Sequence, residues 1–439
     1  MKNVKFSFEN ALVTNKAILE TAEKLKPRIK SLMNANSKGY DEARAPIDIL
    51  DDETMLNKVK TSIEDKLRLK PEYLIIVGIG GSNLGTIAVQ EAVLGKLYNQ
   101  LNPSTKILYA DTVDTDLLNR IITLIDPVLK RKGNVILNVL SKSGTTTETI
   151  ANFQILIDLL RRHGKDYKKY VVATSDRGSK LWNLALKEEF NVLEIPEKVV
   201  GRYSVFSPVG LFPLGLLGIK IENLLAGAKS MRDICLNEDM GKNPAAMSAA
   251  VHYFHYKSGK NISDLFLFSN DLESIGKWCR QLTAESLGKE FNNKGAKVNT
   301  GITPTVSIGS TDLHSIAQLY LGGPYDKITT FVSVENSNSH TNVSSLERYS
   351  ELVSGIQGKS LANVMMAILE GTKEAFRKGE RPFMEIRLPD KSEYSVGQFL
   401  QFKIMEAIYL GYFLDVNPFD QPNVESYKEE TRKILNKQK

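Results

Sequence analysis

Cysteine and long apolar runs are scarce in this 439-residue chain. Its two cysteines, Cys235 and Cys279, cannot build a disulfide framework, and the opening residues MKNVKFSFEN lack the pattern of a secretory signal. The longest uncharged run, 203–219, contains two prolines and is shorter than the ~20 apolar residues that cross a bilayer. These absences predict a reduced, cytoplasmic protein without a membrane segment.

Positive residues outnumber negative ones only slightly, since 57 Lys+Arg against 51 Asp+Glu leave a net charge of +6. Nucleic-acid binding usually needs a concentrated basic stripe, so no nucleic-acid partner is predicted, whereas small anionic substrates remain compatible. The apolar fraction of 42% and the charged fraction of 25% are near the globular average and exclude a disordered chain. The length is about three times the ~150-residue prior for one domain.

Short apolar runs of strand length recur along the chain, with helical stretches between most of them. The first, residues 73–80, is continuously apolar and ends in glycines, as is typical of a strand buried on both faces. Strand, loop and helix in repetition predict parallel sheets covered by helices. The runs are 73–80, 106–111, 134–140, 170–176 and 191–196, then 264–270, 303–309, 327–335 and 381–388.

The two series of runs predict two α/β domains in tandem. A charged, polar segment, GAKSMRDICLNEDMGKN, lies between the series and predicts the division there. We expect an N-terminal helical segment, a first α/β domain, a connecting helical segment, a second α/β domain and a C-terminal helix. Their predicted ranges are 1–65, 66–225, 226–260, 261–415 and 416–439.

The glycine-rich loop GIGGSNLG (78–85) follows the first strand and precedes a helix. Glycines let the backbone approach a phosphate at the N-terminus of a helix. A dinucleotide site is an alternative, because Asp111 ends the next strand. However, Asn83 stands where a third glycine is needed, and Asp111 lies about thirty positions after Gly80 instead of ~20. A glycine-rich turn without a ligand also stays open.

The loop SKSGTTTE (141–148) crowds five hydroxyl side chains between a strand and a helix. Hydroxyls and backbone N–H groups at a helix start suit a phosphate monoester, and helix capping alone would need only one of them. The absence of GxxxxGK[ST] excludes a nucleotide P-loop. Together with the glycine-rich loop, this loop predicts one shared phosphate site. The hydroxyl residues are Ser141, Ser143, Thr145, Thr146 and Thr147.

Arg202 is a lone charge in an otherwise uncharged stretch. Such an arginine is either paired with a carboxylate or bound to a substrate anion, and both interpretations stay open. In the helix 276–290, Trp278 and Leu282 precede Glu285 by seven and three positions and share its face. That face is apolar, so Glu285 is predicted to point inward, as a general base or as a salt-bridged carboxylate.

His314 follows a predicted strand end, where parallel sheets present ligand-binding groups. His252 and His255 form an HxxH pair, but they lack an obvious third metal ligand and are interpreted as ordinary helix histidines. Lys428 shares one face of the final helix with apolar residues and is predicted to point inward. An inward lysine is paired or used, although a lysine that snorkels along its stem is the alternative.

Taken together, the sequence resembles the glucose-6-phosphate isomerase family from about Tyr73 to Lys428. The resemblance implies two tandem sugar-isomerase-type α/β/α sandwich domains with parallel sheets and with helices at both ends. It implies a cytoplasmic homodimer with a shared active site, and no metal or cofactor. It rests on five strings in the family's order: GIGGSNLG, SKSGTTTET, GRYSVFSPVG, AESLGKE and FDQPNVESYK.

The implied reaction interconverts glucose 6-phosphate and fructose 6-phosphate through ring opening and a cis-enediolate. Glu285 takes the position of the catalytic base, and Arg202 would lie near the enediolate. His314, supplied by the neighbouring subunit in the family, and Lys428 resemble the ring-opening residues. The implied substrate-binding residues are Gly81, Ser82, Ser141, Lys142, Ser143, Thr146, Glu148, Gly201 and Gln421.

Two departures from the family pattern touch local geometry only. Val200 stands where a glycine often precedes the signature glycine and arginine, and Asn423 replaces a usual glycine. Two other functions stay open. A sugar-phosphate-binding regulator would need the hydroxyl loop but not Glu285, His314 and Lys428 together. An isomerase that also accepts mannose 6-phosphate would share every motif.

Overall fold

The computed structural model describes residues 2–33, 45–164 and 166–437. These residues form twelve β-strands and sixteen α-helices. The strands are β1 Lys5–Ser7, β2 Tyr73–Val77, β3 Lys106–Ala110, β4 Val135–Leu140, β5 Val171–Ser175, β6 Asn191–Glu194, β7 Ile262–Leu267, β8 Lys289–Phe291, β9 Lys297–Thr300, β10 Thr303–Ile308, β11 Lys327–Val334 and β12 Phe383–Leu388.

Helices separate most of the strands. They are α1 Asn15–Glu23, α2 Lys26–Met33, α3 Ala45–Asp48, α4 Glu53–Arg68, α5 Leu84–Leu94, α6 Thr115–Lys130, α7 Thr147–His163, α8 Lys180–Lys187, α9 Pro208–Leu216, α10 Ile221–Cys235, α11 Pro244–Lys257, α12 Glu273–Leu287, α13 Ala317–Gly322, α14 Leu361–Lys378, α15 Glu393–Phe413 and α16 Glu425–Lys437.

The first sheet has the order β3-β2-β4-β5-β6, and all of its strands are parallel. β2 pairs with both β3 and β4, so the loops after β2 and β4 emerge side by side at one edge of the sheet. Every residue of β4 is buried, including Asn138 within the otherwise apolar run. The five strands coincide with the five apolar runs of the first series.

The second sheet has the order β1-β12-β11-β7-β10. Four of its strands are parallel, and β1 adds an antiparallel edge to β12. β1 was not expected, because the sequence predicts only helices in the first 65 residues. A three-residue strand is too short to give a visible period, and it is fixed by its pairing with a strand almost 400 residues away.

Helices cover both faces of each sheet. In β2, Leu74 and Ile76 face a large core between the two sheets, whereas Ile75 and Val77 face an outer core with α6 and α7. A third cluster of aromatic side chains, including Phe266 and Phe331, covers the outer face of the second sheet. The predicted fold class, two α/β/α sandwiches with helical ends, is therefore confirmed.

Most of the uncharged run 203–219 is buried. It forms a 3-10 turn, Gly201–Phe206, followed by α9, in which Pro208 occupies the first turn. In the part of the chain that the structure describes, no helix is both long and apolar enough to cross a membrane.

Candidate active site

The glycine-rich loop packs directly against the turn that carries Arg202. After β2 the chain forms a 3-10 turn, Gly80–Ser82, in which Gly80 has a left-handed φ of +59°. A Cβ on Gly81 would lie 2.2 Å from the carbonyl carbon of Gly201 and 2.6 Å from the backbone nitrogen of Arg202. Only glycine fits at such a close backbone approach. The loop therefore places its backbone next to the arginine.

The acidic residue considered for a ribose has a different partner. Asp111 Oδ2 accepts a hydrogen bond of 3.3 Å from the side-chain amide of Asn83, within the same sheet edge. Asn83 also occupies the position of the missing third glycine. One oxygen of Asp111 is therefore used within the protein itself, which weighs against the dinucleotide alternative.

In the hydroxyl loop the side chains meet one another. Ser141 Oγ lies 3.0 Å from Thr146 Oγ1, and Ser143 Oγ lies 3.0 Å from Thr145 Oγ1. Thr146 is the N-cap of α7, yet its hydroxyl does not cap the helix. Simple N-capping therefore does not account for these hydroxyls. They line the start of a helix whose free N–H groups attract an anion.

The two loops are neighbours in space. A Cβ on Gly78 would lie 3.0 Å from Ser82 Cβ and 3.2 Å from the carbonyl oxygen of Leu140, which ends the strand before the hydroxyl loop. The N-termini of α5 and α7 follow these loops at one edge of the first sheet. Two adjacent helix N-termini with hydroxyl groups between them suit one phosphate.

Lys142 contacts a backbone carbonyl outside the hydroxyl loop. Its ammonium group donates to the carbonyl of Glu197, beyond the end of β6. Burial lowers the pKa of Lys142, and burial also raises the pKa of nearby Asp176 to about 6. Glu148 lies half-buried in the first turn of α7.

Arg202 is 1% exposed, and the chain fixes its guanidinium on two sides. Its Nε donates to Ser286 Oγ at 2.8 Å. Its Nη2 donates to the carbonyls of Pro418 at 2.6 Å and of Asp420 at 2.9 Å. The hydroxyl of Tyr203 contacts the same serine at 2.8 Å, so the serine is itself held in place. The guanidinium therefore has little freedom to move.

The remaining nitrogen of Arg202 faces the candidate site. Nη1 lies 2.5 Å from Gln421 Oε1 and 3.3 Å from Glu285 Oε2. Glu285 is in the last turn of α12, with its other oxygen 3.0 Å from the side-chain nitrogen of Gln281. Its helix face is apolar as predicted, but the carboxylate itself is 31% exposed at the edge of that face. A partly open carboxylate beside a buried cation can exchange protons with a bound molecule.

Among the described residues of one chain, neither His314 nor Lys428 makes a hydrogen bond or an ion pair with Glu285 or Arg202. His314 is exposed in the 3-10 turn Thr311–His314 that follows β10. The prediction that Lys428 points inward was wrong, because none of the described residues of α16 is buried, and Lys428 Nζ instead pairs with Glu425 Oε1 at 2.6 Å. Nothing in the described part of the chain covers the apolar side of this helix.

The HxxH pair does not converge on one point. His252 Nε2 is 3.8 Å from Glu406 Oε1, whereas His255 Nε2 is 2.7 Å from the carbonyl oxygen of Ala11. Within residues 2–33, 45–164 and 166–437, no group of three His, Cys, Asp or Glu side chains could hold a metal ion. The two histidines belong to the packing of α11.

The phosphoglucose isomerase family model matches residues 66–439. The chain belongs to the phosphoglucose isomerase family. The resemblance inferred from the five strings is therefore confirmed. Among curated members, the chain is 34% identical to the glucose-6-phosphate isomerase of Carboxydothermus hydrogenoformans over 397 residues, which is 89% of this chain and 84% of that protein. It is 31% identical to that of Methanocaldococcus jannaschii, over 97% of both chains.

Two solved structures share the fold of this chain. A hypothetical protein from Thermus thermophilus superposes with a TM-score of 0.86 at 28% identity, over 98% of this chain and 99% of that one. A glucose-6-phosphate isomerase from Chlamydia trachomatis superposes with a TM-score of 0.82 at 20% identity, over 99% of this chain and 88% of that one. The second likeness shows the common fold.

The two departures from the phosphoglucose isomerase pattern fit their surroundings. Val200 has an extended backbone, with φ −78° and ψ 157°, which any residue adopts, so no glycine is needed there. Asn423 lies in the 3-10 turn before α16, and its amide donates to Glu290 Oε2 at 3.1 Å. Neither change alters the surroundings of Arg202.

Several residues around the motifs were not predicted from the sequence to belong to the site. Three of them contact Arg202 or Glu285 directly: Gln281, Ser286 and Lys289. A signal was available for Ser286 and Lys289, because both stand inside the string AESLGKE. Gln281 lies one helical turn before Glu285, on the same face. Asp420 is part of FDQ, but it contacts Arg202 through its backbone carbonyl, which no side-chain pattern reveals.

Proposed function

We propose that this chain interconverts glucose 6-phosphate and fructose 6-phosphate as an aldose–ketose isomerase of glycolysis and gluconeogenesis, in the cytoplasm. The observation that carries the proposal is the pairing of Glu285 with buried Arg202, beside two loops built for a phosphate. An isomerase of this type needs a base, a fixed positive charge and an anchor for the non-reacting end. Nothing in the scheme calls for a metal or an organic cofactor.

Isomerisation moves one proton between adjacent carbons. Glu285 removes the proton from C2 and returns it to C1, and the negative charge that forms on the cis-enediolate oxygens lies next to Arg202. Arg202 supports this role because three of its N–H groups are used by Ser286, Pro418 and Asp420, which leaves Nη1 to face the substrate. A fixed donor needs no reorganisation when the charge develops.

The phosphate anchors the substrate away from the reacting carbons. We assign this role to the glycine-rich and hydroxyl loops, where side-chain hydroxyls and free N–H groups meet at two helix starts. Binding energy at this end positions C1 and C2 against the base. The residues assigned to substrate binding are Gly81, Ser82, Ser141, Lys142, Ser143, Thr146, Glu148, Gly201 and Gln421.

The cyclic sugar must open before isomerisation, which needs an acid at the ring oxygen and a base at the anomeric hydroxyl. We assign these transfers to His314 and Lys428 and infer a homodimer in which His314 of one copy completes the site of the other. Two features support a shared site. His314 is exposed within its own chain, and α16 leaves Tyr427, Ile434 and Leu435 exposed.

The test is a coupled assay with fructose 6-phosphate in the presence of EDTA, in which turnover is expected. Glu285→Gln should fold and bind phosphate but lose isomerisation, by about a hundredfold or more in kcat, because an amide cannot accept the proton. Glu273→Gln is the matched control: it lies on the same helix with a similar exposure, 30% against 31%, but far from Arg202.

Each alternative gives a different result in this assay. Wild-type activity in Glu285→Gln would refute the assignment of the base. A wild-type protein that binds fructose 6-phosphate without turnover would instead be a regulator. Turnover of mannose 6-phosphate in the same format decides between single and dual specificity.

A further inference from the structure

A second buried cation, Lys289, lies beside Arg202 and has no part in the scheme above. It is the first residue of β8, directly after the end of α12, and its side chain is 5% exposed. Its ammonium donates to the carbonyls of Glu285 at 2.7 Å and Asp420 at 2.5 Å. Burial lowers the pKa of Lys289, and the charge of Arg202 lowers it further. Two neighbouring buried cations are costly unless anions or dipoles offset them.

Asp420 contacts both cations, but with different groups. Its carbonyl oxygen accepts from Lys289 and from Arg202 Nη2, the latter at 2.9 Å. Its carboxylate pairs with Lys289 through Oδ1 at 3.1 Å, while Oδ2 accepts from the amide of Asn417 at 2.9 Å. Within the described residues, Glu285 is the one carboxylate in ion-pair contact with Arg202.

We propose that Lys289 is a positioning residue that retains the Asp420 carboxylate and thereby keeps the charge of Arg202 available to the enediolate. Without the ammonium group, the Asp420 carboxylate loses its ion-pair partner, while the carbonyl of the same residue still accepts from Arg202 Nη2. A second carboxylate at Arg202 would offset the charge that stabilises the transition state. Lys289 thus acts through Asp420 and Arg202 and does not itself touch the substrate. This inference rests on the isomerase function proposed above.

Lys289→Met tests this role, because methionine keeps an unbranched stem but removes the charge. We expect kcat for fructose 6-phosphate to fall about ten- to a hundredfold. KM should stay within about threefold, because the phosphate loops are unchanged. The double variant Lys289→Met/Asp420→Asn should recover most of the lost kcat, since the freed carboxylate is gone. A merely structural lysine would give no such recovery.

The matched control is Lys297→Met, which removes a lysine from β9, the strand paired with β8. Lys297 is 62% exposed and pairs with Glu290 at 3.0 Å, so its loss should leave kcat and KM unchanged. Asp420→Asn alone provides a second test that leaves Lys289 in place. It should retain kcat, because no carboxylate is then present to compete for Arg202.

The outcomes separate this role from the isomerase function itself. Unchanged kcat in Lys289→Met overturns the role of Lys289, and so does a double variant as slow as the single one. If Lys289→Met fails to fold, a tenfold or greater fall in kcat for Asp420→Asn overturns it instead. Absence of turnover in the wild-type protein refutes the isomerase function and, with it, this role.

Discussion

The guanidinium of Arg202 has five N–H groups, and the chain provides an acceptor for each of them. The hydrogen bonds to Ser286 and Pro418 are buried, the one to the carbonyl of Asp420 is partly buried, and all three are made within the chain. The other two acceptors, on Gln421 and Glu285, lie at the side where we propose that the substrate binds. In the proposed mechanism, a bound enediolate can therefore accept hydrogen bonds from Nη1 without disturbing the groups that hold the arginine in place.

We predict that Arg202→Lys lowers kcat by about 10²–10³-fold, because an ammonium cannot reproduce the planar fork that fixes the charge. KM for fructose 6-phosphate should change little, since the phosphate loops remain. Steady-state kinetics in both directions measures this. A variant whose KM rises while kcat stays the same would place Arg202 in ground-state binding instead.

Gly81 illustrates a residue whose role depends on its missing side chain. In Gly81→Ala the new Cβ would meet backbone atoms of Gly201 at 2.2 Å, and backbone cannot move aside as a flexible side chain does. We expect the free energy of unfolding to fall by about 1–3 kcal/mol, together with a raised KM. Urea denaturation measures the first effect.

Gly371 in α14 is the control for this prediction. A Cβ there would have no neighbour within 4 Å, so Gly371→Ala should stabilise the protein by up to about 1 kcal/mol through helix propensity. Equal effects of the two substitutions would mean that the contact between Gly81 and Gly201 has no energetic weight.

Among the elements, the buried strands were predictable and the exposed ones were not. β4 and β11 consist mostly of apolar or β-branched residues, a composition that predicts a buried strand. β8 and β9 are mostly polar, with the sequences KEF and KVNT, and form a separate two-stranded ribbon that no alternation of apolar residues predicts. An amphipathic pattern predicts that one face of a helix is buried, but it does not identify the partner that buries it. For this reason the orientation predicted for Lys428 on α16 was wrong.

The helix α11 gives the stability of the protein a pH dependence. Burial lowers the pKa of His255 to about 4, whereas a histidine in the unfolded chain titrates near 6.5. The unfolded state therefore binds the proton first, and the stability present above pH ~6.5 is lost as the pH falls towards about 4. Burial shifts His252 on the same helix in the same direction.

We predict that His255→Gln reduces this loss of stability in acid, because the glutamine amide can still donate to the carbonyl of Ala11 but does not titrate. Melting temperatures between pH 4 and 7 should converge with those of the wild type at the acid end. Asp176 has a raised pKa of about 6 and therefore makes the protein more stable as the pH falls. This contribution is the same in the variant and the wild type, so it cancels when their melting temperatures are compared. If the melting temperatures of the two proteins differ by the same amount at every pH in this range, His255 is not the source of the pH dependence.

At the scale of the whole molecule, the proposed sharing of the site between two copies can be tested by mixing two variants, but not by either variant alone. If His314 serves the other copy, co-expressed Glu285→Gln and His314→Ala chains should form mixed dimers in which one site has both residues intact. Activity should then reappear although each variant alone is inactive. Tagged mixed dimers measured in the coupled assay test this, and inactive mixed dimers would place both residues in one chain.

The sequence was most informative about the candidate site where reactive side chains lie within recognisable motifs. Glu285, Arg202 and Gln421 are brought together as the family resemblance implies, although they come from segments up to 219 positions apart. What the sequence could not provide were contacts made by backbone carbonyls, such as those of Pro418 and Asp420, because every residue carries a carbonyl. The role of such residues becomes visible only once the chain is folded.

The edge strand β1 has a consequence for how the protein is made. Its partner β12 lies about 380 residues later in the chain, so on a ribosome that adds ~5–20 residues per second β1 waits roughly twenty to eighty seconds for its sheet. During that time its N–H and C=O groups have no ladder to join, and a nascent chain in this state is open to wrong pairing. We expect the first sheet to be complete early in synthesis and the second to close last.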